Sequence, residues 1–217
     1  MFTGSTEVAR LLQRNIAGRL DSQGRPIPLI AETGGQNAMI VDSSALTEQV
    51  VIDVVSSAFD SAGQRCSALR VLCLQEDSAD RVIEMLKGAM AESRLGNPER
   101  LSVDIGPVID AEAKSGIEKH IQGMREKGRS VYQVALANAE ECKRGTFVMP
   151  TLIELESFDE LKREIFGPVL HVLRYNRKDL DQLIEQINAS GYGLTLGVHT
   201  RICLLYTSDA ADDTPCV

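Results

Sequence analysis

The sequence predicts an α/β fold built on a largely parallel sheet. Short apolar runs rich in β-branched residues recur along the chain, and segments with helical spacing of apolar residues lie between most of them. Strands that alternate with helices in this way usually pair in parallel. At 217 residues and 43% hydrophobic composition, the chain is long enough to bury a substantial core.

The first helix is predicted to begin at Thr6, because apolar residues recur every three or four positions beyond it and Ser5 stands at the capping position. Two short strands are expected next, over residues 27–31 and 38–42, since both runs are apolar and rich in strand-forming residues. The glycines of the segment ETGGQN, residues 32–37, predict a tight loop between them.

A strongly apolar helix is predicted over residues 46–59, and it ends at the small residues 61–63. A strand is expected over residues 69–75, LRVLCLQ, in which leucine, valine and cysteine fill five of the seven positions. Cys66 therefore falls in the loop that joins this helix to this strand.

The second half of the chain continues the alternation. Further helices are predicted through Val82 to Met90, over residues 110–128, and through Leu180 to Ile187. Further strands are predicted over residues 131–136, 147–153, 169–175 and 194–200. Residues 202–217 become small and acidic without periodicity, which predicts a frayed tail.

Charge and cysteine content exclude several classes of protein. With 31 acidic and 23 basic residues and a pI near 5.0, nucleic-acid binding is not expected. No apolar run reaches the length of a membrane span, and the first residues lack the pattern of a signal peptide, so a cytoplasmic protein is expected. The scattered cysteines predict free thiols and no metal site: Cys66, Cys73, Cys142, Cys203 and Cys216.

The segment SAGQRCSALR, residues 61–70, has features of a reactive cysteine. Gly63 permits close approach of a substrate, Arg65 adds positive potential, and a helix beginning just after Cys66 would favour its thiolate. Amides at such a helix start would also hold an oxyanion. Without further information, a small buried cysteine at an element junction is the more common use of this residue type.

Three weaker candidates accompany Cys66. Glu32 ends an apolar strand beside two glycines, where a carboxylate can act as general base, although a cap or loop ion pair is the ordinary alternative. Amides near Ser5 can bind phosphate at the start of the first helix, although plain capping explains this residue equally simply. Residues 163–169 combine a carboxylate, an aromatic ring and a Gly-Pro turn, which alone indicate only a turn.

The remaining cysteines and the histidines give no specific signal. Cys73 lies between two leucines in a predicted strand and is expected in the core, whereas Cys142 lies in a charged loop. A cysteine hydrolase that pairs Cys66 with a histidine is an open alternative, and three histidines qualify without being distinguished: His120, His171 and His199.

Four segments in this order resemble the aldehyde dehydrogenase superfamily: FTGSTEVA at 2–9, AETGGQNAMIVD at 31–42, SAGQRCSALR at 61–70 and EIFGPV at 164–169. The resemblance extends over residues 2–201. It is greatest to the L-glutamate γ-semialdehyde (1-pyrroline-5-carboxylate) dehydrogenase part of bacterial bifunctional proline-utilisation flavoenzymes. It implies a remnant of a Rossmann-type NAD domain followed by most of a catalytic α/β domain.

The resemblance implies a function in proline catabolism, the NAD-dependent oxidation of L-glutamate γ-semialdehyde to L-glutamate. Cys66 matches the family's nucleophile, which forms a thiohemiacetal and then a thioester. Glu32 matches the general base that activates the hydrolytic water. One strand and one helix separate the two residues, which allows both to reach one cleft.

Five further residues match binding positions of the family. Ser5 matches the contact to the cofactor pyrophosphate, and Gly34 would let the nicotinamide lie against the backbone. Glu164 matches the residue that holds the nicotinamide ribose, and Phe166 matches the aromatic ring beside the nicotinamide. Ser67 resembles the contact to the substrate carboxylate.

The resemblance also implies that the chain consists of three segments. Residues 1–35 match the C-terminal remnant of the NAD-binding domain, residues 36–201 the thiol-bearing catalytic domain, and residues 202–217 no part of the family. The family's adenosine-ribose lysine, its oxyanion-hole asparagine and its final carboxylate-clasping loop are not matched, so a truncated fragment is expected. FAD would belong only to an absent proline dehydrogenase part, and the parent enzyme is expected to be a homo-oligomer.

We expect the 217-residue chain by itself to form little NADH from L-glutamate γ-semialdehyde, because losing one oxyanion donor alone reduces turnover roughly a hundredfold. The rate of NADH formation measures this, with Cys66→Ala as the control. Robust NADH formation that depends on Cys66 would contradict the expectation. A catalytically inert fragment or interaction module, and a dehydrogenase for a different aldehyde, are the alternatives.

Overall fold

The structure, a computed structural model, describes residues 1–135, 142 and 144–202. Within them the helices are α1 (Thr6–Ala17), α2 (Thr47–Phe59), α3 (Glu76–Ala91), α4 (Ala111–Glu126) and α5 (Leu180–Ala189). The strands are β1 (Phe2–Thr3), β2 (Ala31–Glu32), β3 (Ala38–Val41), β4 (Val71–Gln75), β5 (Val131–Gln133), β6 (Thr151–Leu155), β7 (Val169–Tyr175) and β8 (Leu196–His199).

The strands form two sheets. Six of them pair in the order β5-β6-β7-β4-β3-β8, and every pair is parallel except β5 with β6. The other two, β1 and β2, pair in parallel as a small separate sheet, with α1 between them in the chain. The predicted α/β fold with a largely parallel sheet is therefore confirmed.

The core lies at the centre of the large sheet. Strands β3 and β4 are buried along their whole length, and β7 is buried at all but one position. Continuous apolar runs of this kind are typical of parallel strands covered on both faces. Cys73 is fully buried in β4, as its leucine neighbours predicted, and burial raises the pKa of its thiol to about 12.

Several predicted strands are shorter or shifted, among them β4 and β8, which begin two residues later than predicted. The strand expected over 27–31 is reduced to β2, because Pro26 and Pro28 have no amide hydrogen to offer a neighbouring strand. The strand expected over 147–153 begins only after Pro150, for the same reason. Of the strand expected over 131–136, only the first three residues pair, and residue 136 lies outside the described residues, as do 203–217 of the predicted tail.

The topology brings three loops together at one end of the strands of the large sheet. Residues 33–37 lead into β3, residues 63–70 lead into β4, and residues 164–168 lead into β7. Strands β7, β4 and β3 are neighbours and run in parallel, so the loops that precede them meet at the amino ends of the strands. Among the described helices, none is long and apolar enough to cross a membrane.

Two histidines meet beside the start of β4. The Nε2 atoms of His120 and His171 lie 2.8 Å apart, and Nδ1 of His171 lies 3.2 Å from the carbonyl oxygen of Arg70. A carbonyl only accepts, so Nδ1 of His171 carries the hydrogen and its Nε2 accepts from His120. Burial lowers the pKa of His120 to about 4 and that of His171 to about 3, so both rings are neutral at pH 7.

The free energy of unfolding should therefore fall as the pH drops from about 6.5 to about 4, because only the unfolded chain takes up protons on these two rings there. The slope is up to about 1.4 kcal/mol per pH unit for each ring. Urea unfolding across this pH range measures it. The double variant His120→Gln/His171→Asn should flatten the dependence, and an unchanged slope in the variant would contradict the assignment.

Candidate active site

The site is built around the guanidinium group of Arg70, whose side chain is 1% exposed. Its Nε and Nη2 donate to Oε1 of Glu164 at 3.0 and 2.8 Å. Its Nη1 donates to the carbonyl of Gly167 at 3.3 Å, and Nη2 also donates to the carbonyl of Arg65 at 3.1 Å. These bonds join the cysteine-bearing loop before β4 to the loop before β7.

Glu164 extends the same connection to the loop before β3. Its Oε2 lies against Gly34, where a β-carbon would overlap it, and the Gly35 amide donates to the carboxylate. Burial raises the pKa of Glu164 and lowers that of Arg70, and the attraction between the two groups opposes both shifts. The missing side chain of Gly34 thus makes room for Glu164.

Asn37 fixes the cysteine-bearing turn from the buried side. Its Nδ2 donates to the carbonyls of Cys66 and Ala68 at 2.7 and 2.8 Å, and its own carbonyl accepts from the amide of Arg70 at 3.0 Å. Sequence reasoning assigned no role to Asn37 or Arg70. The only sequence signal for either residue is its position, a polar side chain directly before an apolar strand.

The turn before Cys66 has an unusual backbone. Ser61, Ala62 and Gly63 all have positive φ, at 57°, 53° and 66°. A β-carbon on Gly63 would overlap the carbonyl of Gly167, so glycine is required there by space as well as by conformation. The close approach predicted for Gly63 is therefore made by the chain itself, at Gly167.

Cys66 and Ser67 are both exposed at the surface of this turn. The helix considered just after Cys66 is not formed: residues 65–68 form a turn in which the Ala68 amide donates to the Arg65 carbonyl at 3.0 Å. Within the described residues, the amides of Cys66 and Ser67 donate no hydrogen bond. The turn thus offers free donors beside the thiol without a helix dipole.

Arg65 is turned away from this opening. Its Nη2 donates to the carbonyls of Ser56 and Ser57 at 2.9 and 3.0 Å, near the end of α2. The Ser56 carbonyl also accepts from the Asp60 amide and the Ser57 carbonyl from the Leu69 amide, so Arg65 adds a second donor to each. Arg65 was predicted to place a positive charge beside Cys66, and in the structure its guanidinium group instead contacts the end of α2.

The other predicted residues, Ser5, Glu32 and Phe166, are all exposed. Ser5 caps α1 and accepts from the Val8 amide at 3.3 Å, as its position predicted. Glu32 is exposed at the end of β2, and no hydrogen bond joins its carboxylate to Cys66 among the described residues. Phe166 is 44% exposed and its ring centre lies 5.3 Å from the guanidinium carbon of Arg70.

The histidines do not supply a base for Cys66. His120 and His171 contact each other, and Nε2 of His199 lies 3.2 Å from a carboxylate oxygen of Asp53. No hydrogen bond within the described residues joins any of these rings to the thiol, which gives the hydrolase alternative no support.

Comparison with known proteins identifies the family. The aldehyde dehydrogenase family profile matches residues 1–204. The chain belongs to this family. Among curated aldehyde dehydrogenase relatives, the bifunctional protein PutA of Klebsiella aerogenes is 78% identical over 205 residues, covering 93% of this chain and 16% of that protein. A 1-pyrroline-5-carboxylate dehydrogenase of Staphylococcus aureus is 34% identical, covering 92% of this chain and 38% of that protein.

Solved aldehyde dehydrogenase structures share the fold. A mutant of Bradyrhizobium japonicum proline utilization A has a TM-score of 0.88 at 48% identity, covering 95% of this chain and 20% of that chain. Betaine aldehyde dehydrogenase from Staphylococcus aureus, solved in complex with NAD⁺, has a TM-score of 0.83 at 25% identity. The match covers 93% of this chain and 40% of that chain. The chain spans about a sixth of the length of the PutA relatives it matches.

In this chain, Arg70→Met should lower the free energy of unfolding by about 3–5 kcal/mol, because Glu164 is left buried without its partner. The double variant Arg70→Met/Glu164→Leu should lose less, since no charge remains buried. Urea unfolding of each variant measures both effects.

Arg174→Met is the matched control for this prediction. Arg174 also binds carboxylates, among them Glu154 and Asp80. Its side chain, however, is 30% exposed and lies near the carboxyl end of β7. Its loss should cost about 1 kcal/mol or less. Equal losses for Arg70→Met and Arg174→Met would show that the buried pair does not hold the loops together.

Proposed function

We propose that residues 1–35 and 36–201 are the cofactor-side and thiol-bearing parts of an NAD-dependent aldehyde dehydrogenase that oxidises L-glutamate γ-semialdehyde to L-glutamate. The observation that carries this proposal is Cys66, an exposed thiol on a turn held from behind by buried polar contacts. The substrate is supported by relatives named PutA and 1-pyrroline-5-carboxylate dehydrogenase. 1-Pyrroline-5-carboxylate is the cyclic form of this semialdehyde.

Cys66 acts as the nucleophile in this proposal. Its sulfur adds to the aldehyde carbon, and the carbonyl electron pair moves to the oxygen. The free amides of Cys66 and Ser67 are donors available to the oxygen as it becomes negative. When bound, NAD⁺ supplies the acceptor for the hydride that leaves this carbon.

Glu32 completes the reaction as the general base. The acyl group is then held on Cys66 as a thioester, and Glu32 takes a proton from the water that attacks its carbonyl carbon. The carbon–sulfur bond breaks, the carboxylic acid leaves and the thiol is restored. This role is supported by the short connection of residues 33–37 between Glu32, at the end of β2, and the start of β3.

The described residues fit a bound dinucleotide. Ser5 caps the 12-residue helix α1, whose first turn favours a diphosphate. The Glu164 carboxylate has lone pairs left for ribose hydroxyls beyond those that Arg70 and Gly35 use. Phe166 presents an exposed aromatic face for the nicotinamide.

Substrate and assembly complete the proposal. Ser67 places an exposed hydroxyl next to the nucleophile, where it can donate to the carboxylate of the semialdehyde. A homo-oligomer is supported by the edge strand β8, in which Leu196 and Val198 are 54% and 40% exposed.

L-Glutamate γ-semialdehyde should slow the alkylation of Cys66 by iodoacetamide in the 217-residue chain, because thiohemiacetal formation removes the thiolate. Propanal should protect less, since it has no carboxylate for Ser67. Ser67→Ala should raise the protecting concentration of the semialdehyde about tenfold, as expected for a hydrogen bond to a charged group. Peptide mapping by mass spectrometry measures alkylation at each cysteine.

Ser78→Ala, on α3, is the control and should leave protection unchanged. Equal protection by both aldehydes would overturn the substrate assignment. Absence of protection by either aldehyde would overturn the role of Cys66 as the nucleophile.

A further inference from the structure

A small cavity opens at the carboxyl ends of the central strands of the large sheet. It has a volume of about 170 Å³, and residues that end or follow β3, β4 and β7 line it, among them Ser43, Gln75 and Tyr175. Pockets for drug-sized ligands usually measure roughly 300–1,000 Å³, so only a small molecule fits here. The length of β4, about 16 Å at 3.3 Å per residue, separates the cavity from the turn that carries Cys66. The cavity is therefore distinct from the candidate active site.

Hydrogen bonds within the chain fix the floor of this cavity, where Gln75 and Tyr175 are buried. The Tyr175 hydroxyl donates to the Val41 carbonyl at 3.2 Å. The Gln75 carboxamide accepts from the Ser43 amide at 3.3 Å and donates to the Ser43 hydroxyl at 3.1 Å. Both carboxylate oxygens of Asp42 also accept hydrogen bonds from the chain. These bonds determine the shape of the floor before any ligand enters.

Three charged side chains on the exposed rim of the cavity have no partner among the described residues. Arg177 and Lys178 lie in the turn before α5, and Asp181 lies in the first turn of α5. No hydrogen bond or ion pair within the described chain involves any of these three side chains. Arg177 and Asp181 are four residues apart, a spacing at which opposite charges on a helix commonly pair. Two cations and one carboxylate therefore line one cavity without neutralising each other.

We propose that this cavity binds an acidic α-amino acid such as L-glutamate. The two carboxylates of the ligand pair with Arg177 and Lys178, and its ammonium group pairs with Asp181, so each free charge of the rim meets an opposite charge. Leu180, which also lines the cavity, offers an apolar contact to the carbon chain. The choice of L-glutamate rests on the proposed function, of which it is the product, whereas the site itself rests on the cavity and its charges.

The acidic residues of the cavity select against ligands that carry negative charge alone. Asp181 on the rim and Asp42 on the floor repel phosphate or a plain dicarboxylate, and like charges placed together reduce affinity. An ammonium group on the ligand reverses this effect at Asp181. Glutarate has the two carboxylates of L-glutamate and no ammonium group, so a comparison of the two ligands isolates the contribution of Asp181.

In the 217-residue chain, L-glutamate should bind about tenfold more tightly than glutarate, as expected for a hydrogen bond between charged groups. Lys178→Met should raise the Kd of both ligands about tenfold, because each loses a charged partner for one carboxylate. Asp181→Asn should abolish the preference for L-glutamate over glutarate. Titrations followed by ligand-detected NMR measure each Kd, and circular dichroism checks that the variants fold, which their exposed positions lead us to expect.

Lys119→Met is the matched control, because it removes an equally exposed positive charge from α4, away from the cavity, and should leave both Kd values unchanged. Absence of L-glutamate binding, or equal binding of glutarate to the unsubstituted chain, would overturn the proposal. Binding that is lost in Ser67→Ala and retained in Lys178→Met would place the ligand beside Cys66 and overturn it as well. Failure of the semialdehyde to protect Cys66 would overturn the proposed function and leave these titrations unaffected, so the two failures are distinguishable.

Discussion

The burial of the Arg70 guanidinium is the constraint on which the site depends. Removing this charge from water costs several kcal/mol, and the cost is offset only if its donors find acceptors in good geometry. The acceptors come from two loops: the carboxylate of Glu164 and the carbonyl of Gly167 in one, and the carbonyl of Arg65 in the other. Neither loop can move without leaving a buried charge or carbonyl unsatisfied.

The proposed site lies at an unusual end of the large sheet. Ligands of open α/β sheets usually bind at the carboxyl ends of the strands, yet the Cys66 turn lies at the amino ends of the large sheet. The small sheet resolves the difference, because Ser5 and Glu32 lie at the carboxyl ends of β1 and β2. Residues 33–37 then connect that end to the amino end of β3, so the proposed site would draw on the carboxyl end of one sheet and the amino end of the other.

The sequence predicted the elements better than the contacts between them. Strand β7 was predicted over its full length, 169–175, because its apolar run ends at a Gly-Pro turn on one side and a polar loop on the other. The bonds of Asn37 and Arg70 were not predicted, since their partners lie up to 97 residues away and only the fold brings them together. The helix considered after Cys66 failed because the Arg70 amide bonds to Asn37 and not to the Cys66 carbonyl.

The turn therefore has two sides with opposite requirements. On its inner side, Asn37 and Arg70 are buried, and each nitrogen of the carboxamide and of the guanidinium donates a hydrogen bond, which holds the turn in place. On its outer side, the thiol of Cys66 and the amides of Cys66 and Ser67 have no hydrogen-bond partner within the described chain, which leaves them available for chemistry. A reacting group held within a few tenths of an ångström needs such a supporting shell, because an exposed loop alone does not hold its amides in one direction. The buried polar residues are in this way as much a part of the site as the cysteine that they support.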